Sequence, residues 1–443
     1  MALPIDERTS AIAAAASATA DAAREAVAWF EDPKNQDKIG SERAALAREF
    51  RRAIAQAKRL EIAAARPMCV GVFGPCQAGK SYLVSVLARP VDAPLMAVFE
   101  GRPGGVDFIR EINPEGGRES TGLVTRFSLK AVPHPPGFPV CLRLLSQADI
   151  VKILGNGFFL DGDPTKNEPE PQAPAIRALL DKLRARAAPT PVDRLSEEDV
   201  WDIQEYFEQQ FAGVPYQKAL APFWEEAAQL APRLGPAERT ELFAILWGGH
   251  QPFSQLYRQL LDALARLGHP DEAYCPIDAL VPRKESIIDV ATLAGLGQPD
   301  QPMLAIRSMS GATVELPRPV VTALTAELRI VVQEKPWPFF DHTDLLDFPG
   351  ARSRQPLALK KFFEEKPEAL KELFLRGKVA YLFDRYVAEQ ELTSMLLCID
   401  DKNQEVVTLP HMIDHWITAT HGATPAERAK RPCVLYFVLT KFD

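Results

Sequence analysis

The chain contains 443 residues, of which 47% are apolar and 25% are charged, and its net charge is −8. This length is about three times that of a typical domain and the composition suits a buried core, so we expect two or three folded domains and exclude wholesale disorder. Acidic residues outnumber basic ones, so the chain lacks the overall positive charge that is typical of nucleic-acid-binding proteins. Six widely spaced cysteines favour reduced thiols and a cytoplasmic location, and no apolar run reaches the roughly 18 residues that a transmembrane helix needs.

Residues 1–66 predict an N-terminal helical arm. Eleven of the 18 residues from 11 to 28 are alanine, and apolar residues recur at helical spacing from 42 to 65. We expect a hairpin that leans on another part of the chain, because so small an apolar face is not stable alone. Four of the basic residues of the second helix predict a solvated face or, alternatively, a surface for peripheral contact with lipid or an acidic partner: Arg51, Arg52, Lys58 and Arg59.

A phosphate-binding loop is predicted after the apolar strand 68–73. The segment Gly74–Ser81 fits G-x-x-x-x-G-K-[ST] and is followed by a helical pattern, which is the context that this motif requires. Its backbone N–H groups surround phosphate oxygens, Lys80 reaches the β- and γ-phosphates, and the Ser81 hydroxyl ligates Mg²⁺. The alternative is an ordinary glycine-rich turn. The predicted nucleotide-binding residues here are Gly74, Gln77, Ala78, Gly79, Lys80, Ser81 and Tyr82.

A second motif lies between the loop helix and the next predicted strand. Residues 116–127 form a Gly-rich stretch with two threonines, Thr121 and Thr125, either of which can serve Mg²⁺ if the loop is mobile. A solvated loop is the alternative. The following region, 147–320, is rich in helical patterns broken by proline, and Ser196 opens a capping box with Asp199. We predict a mainly helical insertion there.

Four segments follow from these boundaries: the arm, the first part of the α/β domain with the phosphate loop, the insertion and the second part of the α/β domain. They span 1–66, 67–146, 147–320 and 321–443. Besides 68–73, the apolar β-prone runs predict strands at 125–131, 140–145, 326–332, 341–346, 395–399 and 433–439.

The predicted strand 341–346 leads into a D-x-x-G sequence formed by Asp347 and Gly350. A carboxylate at this place is expected to hold Mg²⁺ through water, and the Gly350 N–H to sense the γ-phosphate. Asp344 competes for the metal role but has no glycine at the matching spacing.

The sequence Thr440-Lys441-Phe442-Asp443 follows the last predicted strand. A carboxylate at Asp443 accepts hydrogen bonds from two donors of guanine that adenine does not offer together, while the lysine stem packs on the base. This predicts guanine rather than adenine as the base. A complete domain of this kind continues with another strand and helix, so we expect a truncated chain whose strand 433–439 lies at the sheet margin with one side unpaired.

The order of these motifs resembles the G domain of dynamin-type large GTPases, in which the threonine before the arginine of Ser-Thr-Gly-Leu-Val-Thr-Arg (120–126) binds Mg²⁺. That resemblance favours Thr125. The segments 77–83, 107–110 and 113–126 are also similar to the bacterial virulence-factor family known as SrfC. Together these resemblances imply an α/β P-loop GTPase fold, the metal ligands Ser81, Thr125 and Asp347, and the cofactors GTP or GDP and Mg²⁺.

The resemblance also implies a slow GTPase that is stimulated by self-association through the G domain and acts as a switch in virulence, with other virulence-operon proteins as further partners. The residues implied in turnover are Gln77, Lys80 and Thr125. One position departs from the dynamin pattern, because Cys76 stands where those proteins carry glutamine, and the glutamine comes one residue later as Gln77. Two alternatives therefore stay open: a nucleotide-bound scaffold that does not hydrolyse, and a P-loop ATPase of a secretion assembly.

Overall fold

The computed structural model describes residues 7–114, 121–351, 356–399 and 409–440. Its strands are, in chain order, β1 (Met68–Phe73), β2 (Met96–Phe99), β3 (Arg102–Asp107), β4 (Val124–Ser128), β5 (Val140–Leu144), β6 (Glu272–Cys275), β7 (Met303–Ile306), β8 (Val314–Pro317), β9 (Thr325–Val331), β10 (Thr343–Asp347), β11 (Leu392–Ile399) and β12 (Leu435–Leu439).

The helices of the arm and of the segment after β1 are α1 (Glu7–Glu31), α2 (Gln36–Ile39), α3 (Arg43–Ala65) and α4 (Lys80–Ala88). The middle of the chain forms α5 (Gln147–Asn156), α6 (Pro164–Asn167), α7 (Ala173–Arg184), α8 (Glu197–Gln210), α9 (Pro215–Ala219), α10 (Trp224–Leu230), α11 (Pro236–Phe243), α12 (Gln251–Leu267) and α13 (Arg318–Leu324). The last part contains α14 (Leu359–Glu365), α15 (Ala369–Ala388), α16 (Leu409–His421) and α17 (Pro425–Arg428).

An eight-stranded sheet in the order β12-β11-β1-β10-β4-β9-β5-β6 forms the centre of the molecule. The first four of these strands are parallel, whereas β4 runs antiparallel to β10 and parallel to β9. The protein is therefore a mixed α/β structure with a mostly parallel sheet, as its alternating strand and helix patterns predict. The carboxyl ends of β1, β10, β11 and β12 meet at one edge, and the reversed β4 begins at that same edge.

Aromatic packing fixes α15 against the centre of the sheet. Phe383 lies with its ring centroid 4.4 Å from that of Phe73, the last residue of β1, and Tyr386 lies 5.2 Å from Phe348, the residue after β10. All four side chains are at most 2% exposed. Burying large rings between strand and helix stabilises the ends of β1 and β10, where the predicted phosphate and D-x-x-G motifs begin.

The arm is the predicted helical pair, since α1 packs along α3 and the rings of Phe30 and Phe50 lie 5.3 Å apart. The basic residues of α3 meet an acidic partner within the same chain, which was the alternative to a solvated face, although the side chains of Arg52 and Lys58 stay 43–48% exposed. Arg52, Lys58 and Arg59 form ion pairs with carboxylates of α8. The physical reason is the acidic composition of α8, which brings a complementary face of opposite charge against the arm.

The segment 147–320 is mainly helical, and the predicted capping box at Ser196 is present in both directions at the start of α8. Trp224 and Trp247 are core residues, at most 1% exposed. The sequence analysis missed β6, β7 and β8 in this segment, and β2 and β3 before it. These strands are only four to six residues long, and β6 joins the central sheet by pairing with β5, a partner that no local pattern reveals.

Strand β12 lies at the margin of the central sheet, as predicted, with β11 as its sheet neighbour within the described residues. Three large apolar side chains on it are more than half exposed: Tyr436, Phe437 and Leu439. Unpaired backbone groups beside exposed apolar side chains make such an edge prone to pairing with other chains.

Candidate functional site

The segment predicted to bind phosphate forms a tight loop between β1 and α4. Gly74 has φ +150° and Gly79 has φ +75°, both in regions that favour glycine. A Cβ atom on Gly74 would lie 2.7 Å from the carbonyl oxygen of Cys398, and one on Gly79 would lie 3.4 Å from Cβ of Thr440. Glycine at 74 is therefore required by close contact with β11, whereas glycine at 79 is favoured by its left-handed backbone conformation.

Lys80, the first residue of α4, turns its side chain back into the loop. Its Nζ donates to the carbonyl oxygens of Gly74 at 3.2 Å and Pro75 at 2.5 Å, and the residue is only 5% exposed. A buried ammonium is stable only when acceptors replace its water. The loop thus holds one positive charge against its own carbonyls, beside the cavity that it borders.

The D-x-x-G segment lies directly against this loop. The N–H of Phe348 donates to the carbonyl of Val72 at 3.2 Å, and the N–H of Ala351 donates to that of Gly74 at 3.1 Å. Asp347 ends β10 and is 6% exposed, and Gly350 is also buried. Parallel pairing between β1 and β10 therefore brings both motifs to one edge, although about 270 residues separate them in the chain.

Cys76 contacts the D-x-x-G segment. Its Sγ lies 3.7 Å from the carbonyl oxygen of Gly350 and 3.5 Å from that of Ala351. Gln77, by contrast, is exposed, adopts φ +64° and borders the cavity. The two side chains at the tip of the loop thus have different surroundings: Cys76 faces the D-x-x-G segment and Gln77 borders the cavity.

A cavity of about 180 Å³ lies where the motifs meet. Residues from the loop, from the stretch before β4 and from the end of β10 line it: Gln77, Gly79, Lys80, Ser81, Tyr82, Thr121, Asp347 and Phe348. The lining residues bring an ammonium, three hydroxyls and a carboxylate around one small space. A larger cavity of about 660 Å³ lies between the arm and α8, but that cavity contains none of the predicted site residues.

The two candidate threonines occupy different places. Thr121 lines the cavity and pairs through its backbone with Asp289 in the segment before β7. Thr125 is 2% exposed within β4, opposite Asp347 in the strand register, and does not line the cavity. Residues 115–120, which contain the first part of this motif, lie outside the described residues. The reversed direction of β4, which the sequence did not predict, brings Thr121 to the edge.

Asp344, the competitor for the metal role, is occupied elsewhere. Its Oδ2 accepts from Nη1 of Arg126 at 3.1 Å, near the start of β10 and away from the cavity. Arg126 also donates to Glu327 at 2.9 Å and to Glu391 at 2.5 Å. The two aspartates of β10 thus have different surroundings. Asp344 belongs to a network of ion pairs around Arg126, whereas Asp347 lines the cavity.

This network is buried, since the side chains of Arg126, Arg143, Glu327 and Glu391 are at most 7% exposed. Burial alone would raise the pKa of Glu327, but Arg126 and the neighbouring guanidinium groups of Arg143 and Arg329 outweigh it and hold the pKa well below its usual range. Burial likewise opposes ionisation of Glu389, yet nearby arginines lower its pKa to about 2. The carboxylates therefore stay ionised and fix the positions of β4, β5 and β9.

Thr440 connects the third motif with the phosphate loop. Its Oγ1 donates to the carbonyl of Ala78 at 2.9 Å, and its N–H donates to that of Ile399 at 2.9 Å. Lys441 and Asp443 lie outside the described residues. The strand order β12-β11-β1 explains why the residue after β12 touches a loop about 360 positions earlier in the sequence.

A comparison with known families matches residues 26–443 to the family described as "Putative bacterial virulence factor". The chain belongs to this family. That confirms the resemblance to bacterial virulence factors, while the dynamin-type GTPase domain stays a prediction. A search of curated proteins found no match. Within the described ranges, no helix is both long enough and apolar enough to cross a membrane.

Proposed function

We propose that this virulence-factor family member is a Mg²⁺-dependent guanine-nucleotide-binding protein with a P-loop GTPase fold, and that slow, assembly-stimulated hydrolysis drives a conformational switch. The observation that carries the proposal is the cavity that joins Lys80, Ser81, Thr121 and Asp347 at one sheet edge. These side chains come from three distant segments, and each has the chemistry that its motif assigns to it.

The residues at the cavity fit a nucleotide phosphate and its metal. Gly79 lines the cavity and carries no side chain, so backbone can approach an anion closely there. Ser81 and Asp347 offer the hydroxyl and carboxylate oxygens that Mg²⁺ prefers. We assign the second hydroxyl to Thr121 in place of Thr125, because Thr121 lines the cavity.

When bound, Mg²⁺ supplies positive charge that offsets the negative charge of the phosphates. The chain supplies the rest. Lys80 exchanges its loop carbonyls for phosphate oxygens, and the N–H groups of the loop and of α4 donate to the same anion. Gln77 borders the cavity and is the side chain placed to orient a water molecule.

A nucleotide-bound scaffold is the alternative that one observation favours. Cys76 stands at the position of the dynamin glutamine, and its Sγ faces the carbonyls of Gly350 and Ala351 instead of lining the cavity. A thiol is also a weak hydrogen-bonding group. A scaffold retains nucleotide through purification and releases no phosphate, so phosphate release separates the two functions.

The first test identifies the base. Nucleotide that co-purifies with the chain should be guanine nucleotide when released by acid and separated by chromatography, and GTP should bind much more tightly than ATP. Asp443→Asn should weaken GTP binding by about 2–4 kcal/mol, roughly 30- to 1,000-fold, because the amide places a donor against donors of guanine. The same variant should gain affinity for xanthosine triphosphate, whose base offers an acceptor at that place.

Asp414→Asn is the matched control, since this aspartate on α16 has a side chain 71% exposed and should leave both affinities unchanged. Equal binding of ATP and GTP by the wild-type chain would contradict the assignment of guanine.

The second test concerns assembly. Lys80 is the one cation among the described residues that line the cavity, and Cys76 replaces the dynamin glutamine, so we expect the isolated chain to hydrolyse GTP slowly and association to complete the site. Phosphate release per subunit should therefore rise with protein concentration. Turnover that is already fast in dilute solution and stays constant across the range would show that hydrolysis needs no assembly.

A further inference from the structure

Thr121, which lines the cavity, is held by a turn of the helical insertion. Its backbone pairs in an antiparallel bridge with that of Asp289, and we call residues 286–292 the insertion turn. The two partners are distant in the sequence and come from different segments of the chain. The contact therefore brings the insertion to the sheet edge where the phosphate loop and Asp347 meet.

The insertion turn is fixed by hydrogen bonds of its own. Oδ1 of Asp289 accepts from the N–H of Ala291 at 2.8 Å and so caps the short 3₁₀ helix Val290–Gly295. Oγ1 of Thr292 donates to the carbonyl oxygen of the fully buried Ser286 at 2.9 Å, and the N–H of Asp289 donates to the same oxygen at 3.2 Å. Because these bonds lie within the insertion, the shape of the turn does not depend on what fills the cavity.

The turn is also attached to the central sheet through α13. Arg318, the first residue of α13, is 7% exposed. Its Nη1 donates to the carbonyl oxygens of Asp278 at 2.8 Å and of Glu285, directly before the turn, at 3.0 Å. Helix α13 leads into β9, which pairs in parallel with β4. The turn and the strand that follows Thr121 are thus fixed to neighbouring strands of one sheet.

The residue after Thr121 makes a second close contact with the turn. A Cβ atom on Gly122 would lie 3.3 Å from Cγ1 of Val290, in the insertion turn, and 2.8 Å from Cδ1 of Leu375 on α15. The backbone at Gly122 therefore packs against side chains of both the insertion turn and α15. This packing holds the neighbour of Thr121, while the bridge to Asp289 holds Thr121 itself.

Asp289 has no direct place at the cavity. Its carboxylate accepts from the N–H of Ala291 and lies 3.8 Å from Nε of Arg283, and it is not one of the described residues that line the cavity. Such a residue affects a ligand through the group that it holds in place. Here that group is the hydroxyl of Thr121.

We propose that the insertion turn is a positioning element of the nucleotide site, in which Asp289 holds the Thr121 hydroxyl in place for Mg²⁺-GTP. The inference rests on the proposed function and extends it, since it makes the helical insertion part of the site that selects the triphosphate. A threonine that is already held needs little further ordering when the ligand binds, which favours affinity. Because the metal ion bridges the second and third phosphates, GDP depends less on Thr121.

Asp289→Ala removes the cap and should loosen the turn. In the chain without nucleotide, hydrogen exchange over 121–123 should become at least about threefold faster, while exchange in β5 should stay unchanged. Binding of a non-hydrolysable GTP analogue with Mg²⁺ should weaken by roughly 3- to 30-fold, the range expected for the loss of a cap. The affinity for GDP, measured in EDTA, should not change.

Two variants control for charge and for the loss of a cap as such. Asp289→Asn keeps an acceptor for the N–H of Ala291, so it should retain wild-type exchange and wild-type affinity. Ser196→Ala removes the cap of α8, a helix of the same insertion that contributes no residue to the described lining of the cavity, and should alter neither measurement.

A double variant separates positioning from a general weakening of the fold. If Asp289 acts through Thr121, the chain with Thr121→Ala and Asp289→Ala should bind the Mg²⁺-loaded analogue no more weakly than Thr121→Ala alone. Additive losses, or unchanged exchange over 121–123 in Asp289→Ala, would overturn the positioning role in a chain that still binds GTP. A wild-type chain that binds neither GTP nor GDP would instead overturn the proposed function, and this inference with it.

Discussion

Lys80→Ala is expected to abolish nucleotide binding. The side chain supplies the positive charge nearest the cavity, and its ammonium already lies within reach of the phosphate loop at 5% exposure. Two charge-assisted hydrogen bonds to phosphate are lost together, at a cost of about 3–6 kcal/mol, which is at least roughly 100-fold in affinity. Titration calorimetry with GTP and Mg²⁺ measures this directly.

Two further variants serve as controls. One tests whether loss of a lysine elsewhere affects binding, and the other tests turnover without removing a charge from the cavity. Lys361→Ala removes a lysine whose side chain is 69% exposed and should leave GTP binding unchanged. Gln77→Ala should also leave binding intact but reduce phosphate release, because Gln77 borders the cavity without carrying charge. Wild-type affinity in Lys80→Ala would refute the phosphate-loop function of the segment.

The parts of the fold that the sequence predicts well are those with local causes. The run 68–73 and the glycines at 74 and 79 define strand, turn and helix start without help from distant residues, and β1 and α4 follow that pattern closely. The seven predicted strands all appear within a few residues of their expected bounds. Hydrophobic periodicity and glycine conformation act over short distances, so they are readable in one sequence.

The features that the sequence could not predict depend on distant pairing. From the residues alone both Thr121 and Thr125 are candidates, and the resemblance favours Thr125; the antiparallel pairing of β4 with β10 places Thr121 at the cavity and Thr125 inside a strand. The basic residues of α3 look like a solvated face until α8, about 150 residues later, supplies the opposite charge. Such partners have no local signal, because a charged helix face has the same sequence pattern whether it meets solvent or an oppositely charged helix.

The role of Arg126 in the core also depends on residues distant in sequence. It belongs to a motif whose resemblance points to metal binding by its neighbour, yet its own side chain joins a buried network with Glu327, Asp344 and Glu391. The three carboxylates come from β9, β10 and the residue before β11. The network therefore fixes β4 between strands distant in sequence, and so determines where Thr121 meets the cavity.

Glu327→Gln should be the most destabilising single change in this network. Glu327 accepts from Arg126 at 2.9 Å and from Arg329 at 3.1 Å, and the Tyr386 hydroxyl donates to it as well. The amide keeps the shape but removes the charge and turns donors toward donors. Losing one partner of a buried ion pair costs about 3–5 kcal/mol, which urea unfolding at pH 7 measures. Glu226→Gln, in an exposed pair with Arg184, is the control and should leave the urea midpoint essentially unchanged.

The pH dependence supplies a second, independent signature of the network. The pKa of Glu327 in the folded chain lies well below the ordinary value near 4.5, and that of Glu389 is lowered to about 2. A carboxyl with a depressed folded pKa stabilises the fold fully above the unfolded pKa, and this contribution is lost as pH falls from about 4.5 toward 2. The free energy of unfolding of the wild type should therefore fall over that window by up to about 1.4 kcal/mol per pH unit for each such carboxyl. The difference in unfolding free energy between the wild type and Glu327→Gln should shrink over the same window. A difference that stays constant from pH 7 to pH 3 would mean that the charge of Glu327 does not hold the strands together, and that β4 is placed by packing alone.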